Sequence, residues 1–497
     1  MRRLKSGLFG SMLVVALGSG CSVEPETDDL ADALTEGTRP WDAAAERAFS
    51  NWIARLGTAR AEGRCTKLNE CINDPSINSL KAATDAPLDL FADCADVPME
   101  LRAYFAVKTR RPFRYVASIE GTGADQRYSA GNHPLTFASA GGSRTMQSLM
   151  TRISGSVHSG FFRMAPEVEE SDTYPIKPSR ASLRPGTVYY DPNGHVLIVY
   201  RVDADGSIWT IDGHPDNSLT FGRFAEGAYA VGGRAQGGGF RNFRPQAVDF
   251  FGSVSASRND ELADYGEEQY GHGNAYFDWL TTALGGTAKS ADKKFSEKLD
   301  QLCVDLNARI ASVDAARATA ALPLGPLPPN IYAAEGDWEA FSTPSRDARL
   351  RASFRALYTF VTTALAPLRG PAKEAMLQAL GAAWRAHQAS AACHVSYTNS
   401  AGAPVSLSLE AIAQRVYDLS FDPYHCVEMR WGAHPSASAE LASCPTADRE
   451  HLERFDLERR NRNVIDREPV TATGADYGPE TPADIDVAAL LRRAGAL

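Results

Sequence analysis

The sequence lacks several features that would define a functional class directly. Beyond the first few residues it contains no cluster of lysine and arginine, and its formal net charge is −10, so nucleic acid is not an expected partner. It contains no Cys-x-x-Cys or His-x-x-x-His spacing and no phosphate-binding loop, so neither a metal nor a cofactor is predicted. No internal repeat is evident. A length of 497 residues instead predicts two folded units, because single cores stop growing at about 250–300 residues.

The N-terminus carries an export signal. Basic residues precede an apolar run over residues 8–17, which is too short to span a bilayer and typical of a signal-peptide core. The following "LGSGC" resembles a bacterial lipoprotein signal. This resemblance implies that Cys21 is lipidated and becomes the first residue of the mature chain. It also implies that Ser22 directs the protein to the outer membrane, facing the periplasm, with the lipid as its membrane anchor.

The chain has eight cysteines, and an exported protein can form disulfides. If Cys21 carries lipid and one other cysteine is a free thiol, the remaining six cysteines can form three disulfides. The pairs expected from nearness in sequence, and then by remainder, are Cys65 with Cys71, Cys426 with Cys444 and Cys303 with Cys393. Cys94 is then the unpaired thiol.

The periodicity of apolar residues predicts an α+β protein. Helical spacing is found near residues 41–56 and 96–108, strands are expected at 187–190, 195–202 and 207–212, and helices dominate after about residue 255. The Gly- and Ser-rich segment 117–147 is expected to be a long loop, such as a lid. The predicted organisation is a signal peptide (1–20), an acidic tether (21–40), an α+β domain (41–255), a helical domain (256–465) and a polar tail (466–497).

Cys94 is the candidate nucleophile. It stands at the start of the helix predicted over residues 96–108, where unpaired backbone N–H groups and the helix dipole favour a thiolate. The same N–H groups are expected to receive an oxyanion. Pro98 lacks an N–H, so either the helix begins slightly after Cys94 or one early hydrogen bond is missing.

His195 is the candidate base. If the loop of the hairpin in "HVLIVYRVDADGSIWTIDGH" covers residues 203–206, His195 lies opposite His214, and Asp212 lies opposite Leu197. Paired antiparallel residues share a face, so Asp212 and His214 are predicted on the same side as His195. Asp212 or His214 would then orient the imidazole. Binding of zinc by these three side chains is the alternative, with no supporting ligand spacing.

The order of these residues resembles papain-like hydrolases of the NlpC/P60 and CHAP groups, which cleave peptidoglycan peptides. A cysteine at a helix start is followed by "PGTVYYDPNGHVLIVYRVDADGSIWTIDGH", in which a strand begins with Gly-His-Val. The resemblance implies a papain-like domain in which the Cys-bearing helix packs on a small antiparallel sheet. It also implies a Cys94–His195–Asp212 triad, with His214 in the place of an Asn found in CHAP-like chains. "CADVP" lacks the Ser-Gly that follows the nucleophile in NlpC/P60 chains.

The expected function is therefore that of an exported, lipid-anchored cysteine hydrolase that cuts amide bonds, with peptidoglycan stem peptides as the expected substrate. "CADVPMELRAYFAVKTRRPFRYV" is also similar to the cysteine helix and Pro-x-Arg-x-Val strand of transglutaminase-like proteins. A transglutaminase-like peptidase or amide transferase is thus one alternative. The other is a non-catalytic envelope lipoprotein that serves as a binding or scaffold module.

Overall fold

The computed structural model describes residues 34–122, 126–127, 129–192, 194–214, 217–226, 229, 231–287, 289–328, 336–433, 439–445, 449–462 and 485–497. The predicted signal peptide, the lipidation site Cys21 and most of the tether lie outside these residues. No helix in the described part of the chain combines the length and apolar character needed to cross a membrane.

Helices and short strands occur in both halves of the described chain. The helices are α1 (Ala43–Ala61), α2 (Leu68–Asn73), α3 (Asp96–Lys108), α4 (Met146–Ser154), α5 (Tyr276–Ala283), α6 (Ala291–Ala315), α7 (Asp337–Phe341), α8 (Pro344–Leu365), α9 (Gly370–Ala389), α10 (Leu409–Arg415), α11 (Val427–Arg430), α12 (Arg449–Arg462) and α13 (Val487–Arg493). The strands are β1 (Arg114–Glu120), β2 (His133–Ser139), β3 (Thr173–Pro175), β4 (Val188–Asp191), β5 (His195–Val202), β6 (Ile208–Gly213), β7 (Leu219–Arg223), β8 (Gly239–Phe243), β9 (Gln246–Val248), β10 (Val254–Ala256), β11 (Val395–Thr398) and β12 (Pro404–Leu407).

The N-terminal half is built on a six-stranded antiparallel sheet of order β3-β8-β4-β5-β6-β7. The apolar run of β5 is buried on both faces, because side chains alternate along a strand. Val196, Ile198 and Tyr200 belong to the core formed with α1 and α3, whereas Leu197 and Val199 belong to a second core on the opposite face. The predicted α+β class is confirmed.

The second core of the sheet includes Tyr276, Leu280 and Leu284, which belong to α5 and the residue after it. The separate core of the C-terminal half begins with Phe295 on α6 and includes residues of α8 and α9. The change of core therefore lies between residues 284 and 295, because α5 is helical yet packs on the sheet.

The end of the chain differs from the predicted polar tail. Val487, Ala488 and Leu491 of α13 are buried in the core of the C-terminal half, and Asp486 caps the helix by accepting a hydrogen bond from the Ala489 N–H at 2.8 Å. A helix this short is not stable alone, so this packing against the core supplies its stability.

The segment 117–147 was expected to be a long loop, but it contains parts of a β-hairpin. β1 and β2 pair from Arg114↔Ser139 to Glu120↔His133, with irregular register between Val116 and Ile119. Most of β2 is exposed or only partly buried, so it lacks the apolar alternation that identifies a half-buried strand. The expectation of a structureless lid is therefore wrong for these two strands.

The three expected disulfides are confirmed. They are Cys65–Cys71, Cys303–Cys393 and Cys426–Cys444, and Cys94 is the free cysteine among the described residues. The bridges thus leave the candidate nucleophile as a thiol.

Candidate functional site

The hairpin formed by β5 and β6 has the predicted register near the site. Ile198 pairs with Ile211, and continuing this register places His195 opposite His214. Nearer the turn the register shifts, because a bulge lies between Val199 and Arg201. At the turn Val202 pairs with Ile208 and not with residue 207, so the loop is one residue longer than predicted, and the bulge restores the predicted pairing on the site side.

The structure brings His195, Asp212 and His214 together on one side of the hairpin. His195 Nε2 lies 2.7 Å from Asp212 Oδ2, and His214 Nε2 lies 3.3 Å from the same oxygen. The two imidazole rings are stacked with centroids 5.8 Å apart. The geometric prediction that these three side chains share a face is confirmed.

Thr220 on β7 completes this arrangement, and the sequence analysis missed it. Its hydroxyl donates to Asp212 Oδ1 at 2.6 Å, because an ionised carboxylate can only accept. The same hydroxyl oxygen lies 3.0 Å from His214 Nε2, so it accepts from that nitrogen. Asp212 pairs with Thr220 across β6 and β7, so recognising the turn at residues 214–218 as a second hairpin would have identified it.

The carboxyl of Asp212 is strongly stabilised as an anion. Burial alone raises its pKa, but the charges of His214 and His195 and the hydrogen bonds from His195 and Thr220 outweigh burial and hold the pKa well below its ordinary value. The Arg60 guanidinium also acts on this carboxylate. Because the carboxylate takes the Nε2–H of His195, the neutral imidazole carries its basic lone pair on Nδ1.

Cys94 lies at the head of β5. Its half-buried thiol accepts a hydrogen bond from the backbone N–H of Val196, the residue that follows His195. The charge of Asp212 also acts on this thiol. Among the described residues no hydrogen bond joins Cys94 to His195 directly, a gap that is common in sites without substrate.

The chain segment before Cys94 is fixed to the β6–β7 turn. Asn217, a non-glycine residue with φ of 63°, accepts a hydrogen bond from the Ala92 N–H at 3.3 Å and donates to the Leu90 carbonyl at 3.2 Å. Asparagine tolerates the left-handed conformation better than most residues. Asn217 was not predicted as a site residue from the sequence, yet its side chain positions the nucleophile segment.

Gly213 allows this segment to approach β6 closely. A Cβ at this position would lie 2.6 Å from the Asp93 carbonyl oxygen and 2.7 Å from that of Ala92. These are backbone atoms and cannot rotate away. The absence of a side chain between Asp212 and His214 therefore sets how near the Cys94 segment lies to the hairpin.

The N–H groups of Ala95, Asp96 and Val97, at the start of α3 where an oxyanion was expected to bind, are occupied. Asp93 Oδ1 accepts hydrogen bonds from the N–H groups of Ala95 at 2.8 Å and Asp96 at 3.1 Å. The Asp93 carbonyl accepts from the Val97 N–H at 3.2 Å, and Pro98 has no N–H. The donors expected to receive an oxyanion are therefore used to cap the helix.

Burial, together with the charge of the capping Asp93, reverses the predicted effect on the pKa of the thiol. Burial raises the pKa of Cys94 well above its ordinary value, and the carboxylates of Asp93, Asp212 and Asp96 raise the pKa further, whereas the Val196 N–H lowers it. The prediction of a pKa lowered by the helix start is thus wrong. The positive end of α3 is offset by an adjacent carboxylate, and carboxylates surround the sulfur.

Two further acids are buried on α3. Glu100 is 2% exposed, and neither of its carboxyl oxygens has a hydrogen-bond partner among the described residues. Burial raises the pKa of Glu100, and the charge of Asp93 adds to this effect. Burial likewise raises the pKa of Asp96. Burial thus disfavours the charged form of both carboxyls.

Metal-ligand geometry occurs elsewhere in the described part of the chain. Ligand atoms of Asp422, His425 and Glu458 lie within 4.8 Å of one another, and so do those of Glu428 and two cysteines that form a disulfide. Arg454 Nε lies 2.6 Å from Asp422 Oδ2, so an arginine already neutralises the carboxylate of the first group. We assign neither group to a metal.

Comparison of the chain with family models, curated proteins and solved structures gave no match in any of the three searches. The function must therefore be argued from the geometry of the site itself.

Proposed function

We propose that this protein is an exported thiol hydrolase with a papain-like site that cuts amide bonds. The observation that carries the proposal is the bond of 2.7 Å between His195 Nε2 and the Asp212 carboxylate, at the strand head where the free thiol of Cys94 also lies. A nucleophile, a base and a group that orients the base form the minimal set for covalent catalysis.

In this mechanism the Cys94 sulfur attacks the amide carbonyl carbon while His195 Nδ1 takes the thiol proton. His195 then gives this proton to the leaving nitrogen, the C–N bond breaks, and a thioester remains. Water, deprotonated by His195, hydrolyses the thioester and restores the thiol. The Asp212 carboxylate stabilises the imidazolium that forms in each step. Thr220 and His214 hold this carboxylate in place through their contacts with its two oxygens.

The raised pKa of Cys94 makes a resting thiolate–imidazolium pair unfavourable. We therefore infer that the proton leaves the sulfur as attack occurs, with His195 as general base, rather than before substrate binds. The Val196 N–H, which bonds the sulfur, supplies a hydrogen bond to the negative charge that develops there.

Location narrows the proposed substrate. The N-terminal sequence resembles that of an exported lipoprotein with lipid at Cys21, so in this proposal the protein meets the cell envelope. Peptidoglycan stem peptides are the abundant amide-linked polymer of that compartment, and we propose them as the substrate class. In this proposal the protein is attached to a bilayer through the lipid on Cys21.

A second candidate function is favoured by the surroundings of the thiol. The Asp93 cap on α3 and the carboxylates near Cys94 oppose thiolate formation. Both features are compatible with a non-catalytic protein of the envelope that retains this fold and serves as a binding or scaffold module. Assays of cell-wall digestion distinguish this module from the hydrolase.

Digestion of purified cell-wall sacculi, with mass spectrometry of the released fragments, tests the proposal. We expect the wild type to release peptide fragments and the Cys94→Ala and His195→Ala variants to release none above a blank. His133→Ala is the matched control, since the His133 side chain is 52% exposed on β2 and lies outside the site; it should digest as the wild type does. No release by the wild type, or equal release by Cys94→Ala, would favour the non-catalytic module.

A further inference from the structure

The hairpin of β9 and β10 presents two neighbouring aromatic side chains to solvent. Phe250 is 97% exposed and Phe251 is 88% exposed, and their rings meet edge to face with centroids 5.6 Å apart. The next most exposed large apolar side chain in the described part of the chain is Phe91, at 60%. Neither ring contributes to a core of the described residues, and an exposed apolar pair of this kind is typical of an interaction site.

The tip that carries these rings is ordered by its own hydrogen bonds. Asp249 Oδ1 accepts from the N–H groups of Phe251 and Ser253, both at 2.8 Å. The Asp249 N–H donates to the Ser253 carbonyl at 2.9 Å, and Gly252 adopts a φ of +84° that closes the turn. The two rings are therefore displayed on a preformed turn and lose little backbone freedom when they are buried.

The hairpin also has little charge to desolvate. Within residues 246–256, "QAVDFFGSVSA", Asp249 is the single charged side chain. Its Oδ1 is already occupied by two backbone N–H groups. A tip that combines two phenylalanines with one internally bonded charge suits the interface of a lipid bilayer better than a polar protein surface.

The base of the hairpin lies beside the point where the described chain begins. Gln246 Oε1 accepts from the Arg114 N–H at 2.7 Å, and Glu36 Oε2 accepts from the neighbouring Phe113 N–H at 3.3 Å. The Leu34 N–H is bonded to the Ser143 carbonyl at 2.9 Å. Residues 22–33 separate Cys21 from Leu34 and can reach at most ~45 Å. A lipid at Cys21 would therefore hold this side of the molecule near the bilayer.

We propose that Phe250 and Phe251 insert into the interface of the bilayer to which the chain is anchored, as a second point of membrane contact. This inference rests on the proposed lipid at Cys21. Two points of contact would fix the orientation of the N-terminal half relative to the membrane. A single lipid anchor would leave the molecule free to rotate about the anchor.

Fluorescence quenching by lipids tests this proposal. Phe250→Trp and, as the matched control, Phe91→Trp each add one tryptophan at an exposed phenylalanine of the full-length chain. The purified proteins are mixed with vesicles of phosphatidylcholine that carries bromine on its acyl chains, and the fluorescence lost is compared with that of the wild type. We expect extra loss of fluorescence for Phe250→Trp and none for Phe91→Trp, because bromine quenches only the tryptophan that enters the acyl region.

The mass of the N-terminal peptide of the same preparations shows separately whether Cys21 carries lipid. Equal quenching of the two variants in a lipidated chain would overturn insertion of the tip and leave the anchor intact. Absence of lipid from that peptide would overturn the anchor, and with it this proposal. Extra quenching of Phe250→Trp in a lipidated chain would support both.

Discussion

Replacement of Asp212 by asparagine is the sharpest test of the proposed chemistry. Asp212→Asn preserves shape but removes the charge that faces His195 Nε2 at 2.7 Å. A hydrogen bond to a charged group contributes about 1.5–3 kcal/mol, and about 1.4 kcal/mol corresponds to a tenfold change in rate. If the bond stabilises the imidazolium in the transition state, fragment release from sacculi should slow by about 10- to 150-fold.

Thr220→Val is the matched control for this substitution. It removes the hydroxyl that donates to Asp212 Oδ1 at 2.6 Å but keeps the carboxylate charge. We expect a smaller loss of rate than in Asp212→Asn, because the imidazolium keeps its counter-charge.

Alkylation of Cys94 by iodoacetamide reports separately on the thiol. The charge of Asp212 contributes to raising the pKa of Cys94, so alkylation should not become slower in Asp212→Asn. Slower alkylation would indicate a distorted site and would invalidate the comparison. Equal digestion rates for the wild type and Asp212→Asn, at unchanged alkylation rate, would refute the role given to this carboxylate.

Two other predictions concern titration. Asp93→Asn should speed alkylation of Cys94 at neutral pH, because Asp93 is the largest charge that raises the pKa of this thiol and an asparagine Oδ1 can still cap α3; a rate-against-pH profile identical to that of the wild type would contradict this. Burial raises the pKa of Asp172 to about 7, against the opposing effects of the Val116 N–H and two arginines. The folded state then binds more protons than the unfolded state between about pH 4 and pH 7, so this group lowers stability as pH rises through that window. Asp172→Asn should remove the loss, gaining up to about 4 kcal/mol relative to the wild type between pH 4 and pH 8 in denaturant unfolding; a difference independent of pH would disprove it.

Local patterns in the sequence were sufficient for the hairpin that carries the base. Strand parity decides that His195 and Asp212 share a face, and the predicted parity holds at the site because the bulge offsets the one-residue difference at the turn. The pairing of Cys303 with Cys393 likewise followed once nearer cysteines had been matched. Neither inference needed knowledge of the tertiary structure.

The electrostatics of the thiol could not be read in the same way. A helix start favours a thiolate only if its N–H groups are unoccupied, and here Asp93 and Asp96 cap one another reciprocally across the first turn. The spacing Asp93-x-x-Asp96 in the sequence is typical of such reciprocal capping. The burial of Glu100 cannot be predicted from the sequence, because it depends on how α3 packs against the rest of the domain.

The domain boundary at residue 255 stays a prediction. Helical periodicity after residue 255 describes local conformation, whereas a domain boundary depends on which core an element joins. Leu280 joins the core of the sheet and Phe295 joins the core of the helices. No periodic pattern distinguishes these two cases.

Gly213 has a consequence for how such sites can be recognised. It carries no functional group, yet the fit between the two parts of the site depends on it, since any larger residue would collide with main-chain oxygens of the opposite segment. A chain that retained every reactive side chain but replaced this glycine would hold a complete chemical inventory in an unproductive arrangement. The proposed chemistry therefore depends partly on the absence of a side chain at Gly213, and a search for reactive residues alone would not detect this requirement.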